Sequence, residues 1–224
     1  MARFPRGFDT DAAFEHLARR DRKLGAWMRR MGPIPADPRW RKSFDPVDAL
    51  ARAILYQQLS GKAAATIVSR VEAAIDSDRF HCDTLARCDD AAIRACGVSG
   101  NKLLALRDLA RREADGEIPD LRRMASMDDD AIIDALVPVR GIGRWTVEMM
   151  LMFRLGRPDV LPVDDLGIRK GAQAVDRLDE MLKPKALAER GEKWGPYRTY
   201  ASLYLWRIAD AANDAKVATR RSQD

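Results

Sequence analysis

The chain has 224 residues, 46% of them hydrophobic and 33% charged, which suits one large globular domain or two small ones with a real core. No apolar run approaches the roughly 20 residues of a membrane span, and the opening "MARFPRGFDTDAAFEHLARR" lacks the uncharged stretch of a signal peptide. The expected setting is therefore the cytoplasm, with no membrane partner. Arginine and lysine number 39 against 34 acids, a net charge of +5 that favours a polyanionic partner without requiring one. Three unevenly spaced cysteines and two distant histidines argue against a disulfide framework and a zinc site.

Apolar residues recur at helical spacing almost throughout, and no segment alternates as a strand would, so the expected class is all-α with about ten helices. "DAAFEHLARRDRKLGAWMRRM" reads as one helix with an apolar stripe of Phe14, Leu17, Leu24, Trp27 and Met31, stopped by Gly32 and the proline-rich segment after it. Asp45-Pro46 is an N-cap with proline in the first turn, opening "VDALARAILYQQLS". "GKAAATIVSRVEAAI", "DTLARCDDAAIRACG", "SGNKLLALRDLARREADG" and "DLRRM" continue the helices. Next comes "SMDDDAIIDALVPVRGIGRWTVEMMLMFRLG", a helix with acids at its start, a glycine turn and a second helix. After "RPDVLPVDD" the helices resume at "LGIRKGAQAV", "RLDEMLKPKALAERGEKW" and "GPYRTYASLYLWRIADAAND". "KVATRRSQD" reads as a loose tail.

The glycine turn carries the first chemical signal. Gly141 and Gly143 let backbone approach a ligand closely, and a helix ending near Leu136 followed by one starting near Gly143 would point amide hydrogens and a favourable dipole outward. Arg140 and Arg144 would add charge for the same anion. Such a site grips phosphate without reading sequence. A tight interhelical turn with no ligand is the alternative.

"LVPVRGIGRWTVEMMLMF" resembles the helix-hairpin-helix of base-excision DNA glycosylases that follow the hairpin with a glycine/proline-rich loop and an aspartate. More narrowly, "GIGRWT" followed by "RPDVLPVDDLGIRKG" resembles the alkylbase glycosylases of the 3-methyladenine DNA glycosylase II family. "ARAILYQQLSGKAAATI" and "WGPYRTYASLYLWRI" extend the likeness over most of the chain after Asp45. One departure is Arg140, where the family often has proline.

The resemblance implies two helical subdomains flanking a DNA-binding cleft, residues 45–155 forming one, and residues 1–44 with 156–224 the other. It also implies a monomer that binds double-stranded DNA carrying alkylated bases. Cleaving an N-glycosidic bond leaves positive charge on the sugar, which a carboxylate can stabilise while orienting water. The alkylbase pattern puts Asp165 at that catalytic position, with Asp164 as the capping neighbour. The arginine spacing of the oxidised-base glycosylases would choose Asp164 instead, and an N-cap role alone is the structural alternative.

Trp145 stands where bifunctional relatives carry the lysine that forms a Schiff base, so the resemblance implies hydrolysis by water. Alkylated bases are often cationic, and an electron-rich pocket binds them by cation–π attraction. Trp145, Tyr200 and Trp206 are the expected lining, with Met149 as an adaptable wall; Trp194 and Tyr197 read as core. Base flipping requires a side chain to fill the gap, for which Gln58 or Leu59 is the candidate. Gly141, Gly143, Arg144 and Thr146 at the hairpin, and Ser99, Asn101 and Lys102 at a helix start, are the expected phosphate contacts, an ordinary N-cap being the alternative for Ser99. The carbonyls of Val137, Val139 and Ile142 are candidates for a Na+ or K+ ion that bridges to phosphate. No cysteine follows Cys96, so no iron–sulfur cluster is expected near the C-terminus.

Two readings compete with alkylbase release. One is a non-catalytic helix-hairpin-helix module that clamps DNA, which would not need the aspartate loop and its aromatic partners. The other is a glycosylase for oxidised or mismatched bases, disfavoured by Trp145 and by the cysteine positions.

Overall fold

The computed structural model describes residues 6–221, and these contain thirteen α-helices and no strand. Among the described residues no helix is long and apolar enough to cross a membrane. The chain divides into two compact units. One is Ser43–Val147, and the other combines the described residues before and after it. The division falls inside a helix, between Val147 and Glu148, ahead of the boundary at residue 155 read from the sequence.

In the Ser43–Val147 unit, α3 (Pro46–Tyr56), α4 (Gly61–Ile75) and α7 (Gly100–Ala114) carry the main apolar faces. Leu50, Ile54, Val68, Leu103, Leu106 and Leu109 are buried there. The short helices α5 (Cys82–Leu85), α6 (Asp90–Ala95) and α8 (Leu121–Met124) lead to α9 (Asp129–Leu136). Aspartates or serines cap most starts, Asp45 accepting from Val47 and Asp48 and Asp128 from Ala131, which satisfies otherwise orphaned N–H groups.

The other unit begins with a correction. The stretch expected as one helix is broken at Asp21 into α1 (Thr10–Arg20) and α2 (Arg22–Met31). Asp21 takes an extended conformation and caps α2 through the Leu24 N–H. It is buried, and its carboxylate also meets Arg190 at 2.6 Å and the Trp194 indole N–H at 2.8 Å. Burial would raise its pKa, but the Arg190 and Trp194 hydrogen bonds hold it below the usual carboxylate value. The break is thus set by partners about 170 positions away, which local periodicity does not register.

After α10 (Arg144–Met150), a π turn, Leu151–Leu155, continues the helical path to Gly156. α11 (Leu166–Asp176), α12 (Pro184–Gly191) and α13 (Arg198–Arg221) complete the unit. The segment expected to be helical from Arg177 begins its helix only at Pro184, because Arg177 closes α11 in the left-handed conformation. Without glycine or proline after Pro196, α13 passes the stop expected at Asp214 and reaches Arg221. The rest of the expected tail, 222–224, and the first five residues of the opening segment lie outside the described residues.

Core residues of this unit include Leu17, Leu24, Met28, Ile168, Leu187, Trp194, Tyr204 and Leu205. α11 and α13 pack closely because Gly171 has no side chain: a Cβ there would sit 2.0 Å from the Leu205 carbonyl oxygen.

Candidate active site

The loop Gly156–Asp165 is laced to the start of α13. Arg198 grips Asp159 through Nε at 2.7 Å and Nη2 at 2.8 Å, and its backbone N–H adds a third bond at 3.2 Å. Burial opposes the Asp159 charge, yet these bonds hold its pKa below the ordinary carboxylate value. Thr199 donates to the Arg157 carbonyl and accepts from the Val160 N–H, and the Ser202 hydroxyl lies 3.4 Å from the Val160 carbonyl oxygen as a further donor. The segment leading to the aspartate pair is thus pinned at successive points.

Asp165 ends that segment. Its N–H donates to the Pro162 carbonyl, closing a turn, and α11 starts one residue later. Its Oδ1 accepts from the Ile168 N–H and from the Trp206 indole N–H, both at 2.8 Å. Trp206 is half-buried and stacks on Phe153, with ring centroids 5.9 Å apart and planes 20° apart. Leu166, beside Asp165, leaves 51% of its surface exposed. A half-buried carboxylate at a helix N-terminus, held by a backbone and an indole donor, is therefore joined to an aromatic stack and followed in sequence by an exposed leucine.

The pair divides its roles differently from expectation. Asp165, not Asp164, caps α11, and Asp164 is exposed. The turn at Pro162 places the second acid of the pair at the cap. Tyr200 is a second correction. Expected in a base pocket, it is fully buried among core residues, and its hydroxyl exchanges two hydrogen bonds with the Ile34 backbone. Trp194 is core as read, and Tyr197 packs against the same cluster.

In the Ser43–Val147 unit the hairpin follows its expected outline, with α9 ending at Leu136 and α10 starting at Arg144. Val139 donates to Leu136 and Ile142 to Val139, winding the turn, and Val139 and Ile142 bury their side chains while Val137 stays exposed. Gly141 takes the left-handed conformation at φ 79°, which a side chain disfavours. Gly143 has no atom within 4 Å of where a Cβ would stand, so its face is open. Thr146, half-buried, donates its N–H to the Gly143 carbonyl. Arg144 extends into solvent beside Asp130 at 3.4 Å. Arg140 is exposed, and its backbone N–H is held by Asp108 at 2.8 Å. Trp145 is 48% exposed on α10, and Met149 follows one helical turn later in sequence.

After α3, Gln57 turns out of the helix and its amide donates to the Gly141 carbonyl at 2.8 Å. Gln58 follows at φ 56°, a left-handed conformation that costs a residue with a side chain, and both Gln58 and Leu59 are exposed. Lys102 is a third correction. Expected to meet phosphate, it instead donates from Nζ to the Leu55 carbonyl at 2.7 Å and the Gln57 carbonyl at 2.8 Å, and burial lowers its pKa. The ammonium closes the C-terminus of α3, which leaves carbonyls unpaired and carries negative dipole charge. Ser99 is the N-cap of α7, accepting from the Lys102 N–H.

Sequence reasoning passed over Gln57, Phe153 and Leu166. Phe153 looks like any core aromatic at helical spacing, and only the π turn and Trp206 distinguish it.

The family model described as HhH-GPD superfamily base excision DNA repair protein matches residues 51–196. The chain belongs to this superfamily. That match runs from α3 through the hairpin and Asp165 to the loop before α13. The chain is 35% identical over 173 residues to DNA-3-methyladenine glycosylase 1 of Schizosaccharomyces pombe, covering 77% of this chain and 76% of that protein. It is also similar to the solved structure of the Schizosaccharomyces pombe 3-methyladenine DNA glycosylase Mag1 in complex with abasic DNA. There the TM-score is 0.75 at 32% identity, covering 88% of this chain and 95% of the other. The crystal structure of DNA-3-methyladenine glycosidase from Bacillus halodurans superposes with a TM-score of 0.80 at 32% identity, covering 96% and 95%. The HhH-GPD assignment agrees with the all-helical fold of the described residues.

Proposed function

We propose that this HhH-GPD protein is a monofunctional DNA glycosylase that releases alkylated bases from duplex DNA, with Asp165 as its catalytic carboxylate. The observation that carries the reading is the Asp165 carboxylate itself, half-buried at the start of α11 and bound by the Ile168 N–H and the Trp206 indole. Capping α11 accounts for the Ile168 bond alone; the indole donor and the partial exposure of the carboxylate are what a group serving the sugar has in addition. The names of the relatives, DNA-3-methyladenine glycosylases, point to the same class of bond.

The base is extruded from the stack, and its departure leaves positive charge on the deoxyribose. Asp165 stabilises that charge electrostatically and orients water toward C1′, so the products are a free base and an abasic site. The Trp145 indole cannot form a Schiff base with the sugar, and water is the nucleophile. Cationic alkylated bases suit the electron-rich ring of Trp206. The open face at Gly143 accommodates a phosphate, with Arg144 adding charge, and exposed Leu59 or Gln58 fills the gap in the stack. Neutral carbonyls at Val137, Val139 and Ile142 suit a hard monovalent cation over a transition metal, and Val139 retains a lone pair beyond its bond from Ile142. Such an ion would supply positive charge for a strand phosphate.

Incubating the protein with methylated duplex DNA and identifying the released bases tests the reading. Expected are freed methylated purines, no borohydride-trapped protein–DNA adduct, loss of release in Asp165→Asn with abasic-DNA affinity retained, and near-full release in Asp164→Asn. Activity in Asp165→Asn with loss in Asp164→Asn would reverse the assignment, and DNA binding without base release would favour the clamp.

A further inference from the structure

We propose that Phe153 is a positioning residue for base release: it sets the plane of the Trp206 indole and, through it, the Asp165 carboxylate, while Arg39 lies against the Phe153 ring and steadies it. The inference rests on the reading of Asp165 as the carboxylate that serves the sugar.

Oδ1 of Asp165 takes one donor from the backbone of Ile168 and one from the indole of Trp206, each at 2.8 Å. The Ile168 N–H belongs to α11 and is fixed with the helix. The indole N–H sits at the end of a half-buried side chain with two rotatable bonds, so its direction depends on what bounds the ring. Gly167 bounds one edge: a Cβ there would lie 2.7 Å from Trp206 Cδ1, so glycine leaves room for the ring at close range. Phe153 bounds a face, nearly parallel at 5.9 Å. An offset stack of this kind resists the rotation that would carry the N–H away from Oδ1.

Phe153 is held in turn. The Arg39 guanidinium lies 5.0 Å from its ring centroid. Arg39 is fixed by Asp37, through Nε at 3.0 and 2.9 Å, Nη2 at 2.5 Å and its backbone N–H at 2.8 Å. An arginine with its fork anchored loses little further freedom when it covers a ring. Phe153 also stands in the π turn Leu151–Leu155, where the extra residue rotates side chains relative to a regular α-helix. The series Asp37, Arg39, Phe153, Trp206 and Asp165 lies within one compact unit.

A positioning role separates from a packing role in a double-mutant cycle. Single-turnover release from methylated duplex, abasic-duplex affinity and melting temperature are measured for each variant. Phe153→Leu is expected to slow release about tenfold with affinity held within about threefold, and Phe153→Tyr, which keeps the ring, to restore it to within about threefold. In Trp206→Phe, where the donor is gone, the same Phe153→Leu change is expected to cost under about threefold. Arg39→Gln, a surface change, is expected to slow release about threefold with an unchanged melting temperature; it tests the same path should Phe153→Leu fail to fold.

Equal losses in both backgrounds, a loss that tracks melting temperature, or full rates in Phe153→Leu or Arg39→Gln would overturn the inference. An active wild-type protein with rate-neutral variants defeats this inference alone. A wild-type protein that releases no base defeats the reading of Asp165, and this inference with it.

Discussion

Gln57 donates its side-chain amide to the carbonyl of Gly141 at 2.8 Å, joining the turn after α3 to the glycine hairpin 84 positions later. The bond ties the exposed Gln58, itself left-handed at φ 56°, and the exposed Leu59 to the hairpin that carries the open face of Gly143. It is solvent-accessible, so its net worth in stability is about 0.5–1.5 kcal/mol. Gln57→Leu removes the donor at similar volume. The expected result is abasic-duplex affinity weakened about three- to tenfold with a melting temperature within a few degrees of wild type. Fluorescence anisotropy and a thermal melt check both; affinity unchanged within error would make the tie structurally idle.

Lys102 holds the same turn through its ammonium. Its two bonds to carbonyls are charge-assisted, and such bonds contribute about 1.5–3 kcal/mol each before the cost of partial burial is subtracted. Lys102→Met keeps the aliphatic stem but leaves the Leu55 and Gln57 carbonyls without their ammonium. A net loss of about 1–3 kcal/mol in urea unfolding is expected. A phosphate-binding lysine would behave otherwise, lowering the salt dependence of DNA affinity by about one unit of slope while sparing stability. Unfolding and salt titrations on one variant therefore decide between the cap seen here and the phosphate contact expected from sequence.

These two residues show where sequence reading reached its limit. The helix end at Leu136 and restart at Arg144 were legible because two glycines interrupt an apolar periodicity, a strictly local signal. That one of two adjacent aspartates would cap α11 was legible too, but which one depends on the turn from Pro162 that sets the first helical residue. Tyr200 was misread because a tyrosine at helical spacing looks alike on any face, and its burial is decided by Ile34, 166 positions away. Lys102 depends likewise on carbonyls at Leu55 and Gln57, and Asp21 on Arg190 and Trp194. Local chemistry gave elements and motifs; partners distant in sequence decided what each polar side chain does.

His81 makes unfolding pH-dependent. Its Nδ1 lies 2.6 Å from Glu113 and its Nε2 3.5 Å from Asp45. Partial burial would lower its pKa, but the Glu113 hydrogen bond and the charges of Asp45 and Glu113 raise it above 6.5. A folded-state pKa above the unfolded one means protonation favours the folded state. The contribution is whole below about pH 6.5 and is lost as pH rises through the raised folded value. Urea midpoints between pH 5.5 and 8.5 should fall more steeply in wild type than in His81→Gln. Parallel curves for the two proteins would show that the contact adds no pH-linked stability.

Gly167 supplies a case where helix propensity and site geometry predict opposite signs. Alanine near the start of α11 would favour the helix by about 0.5–1 kcal/mol over glycine. Here, however, a Cβ would stand 2.7 Å from Trp206 Cδ1, 3.0 Å from its Nε1 and 3.1 Å from Asp165 Oδ1. The indole end can yield, whereas Asp165 Oδ1 is held by the Ile168 N–H of α11, so the ring moves and the Trp206–Asp165 bond lengthens. Gly167→Ala is therefore expected to keep or slightly change the melting temperature while lowering single-turnover base release about tenfold. Gly171→Ala is the contrasting substitution, because its Cβ would meet the Leu205 backbone, which cannot swing aside. It is expected to destabilise the fold by about 1–3 kcal/mol through overpacking. Release assays and melts on both variants separate a site effect from a packing effect, and a Gly167→Ala protein with wild-type release would show that the indole contact to Asp165 is dispensable.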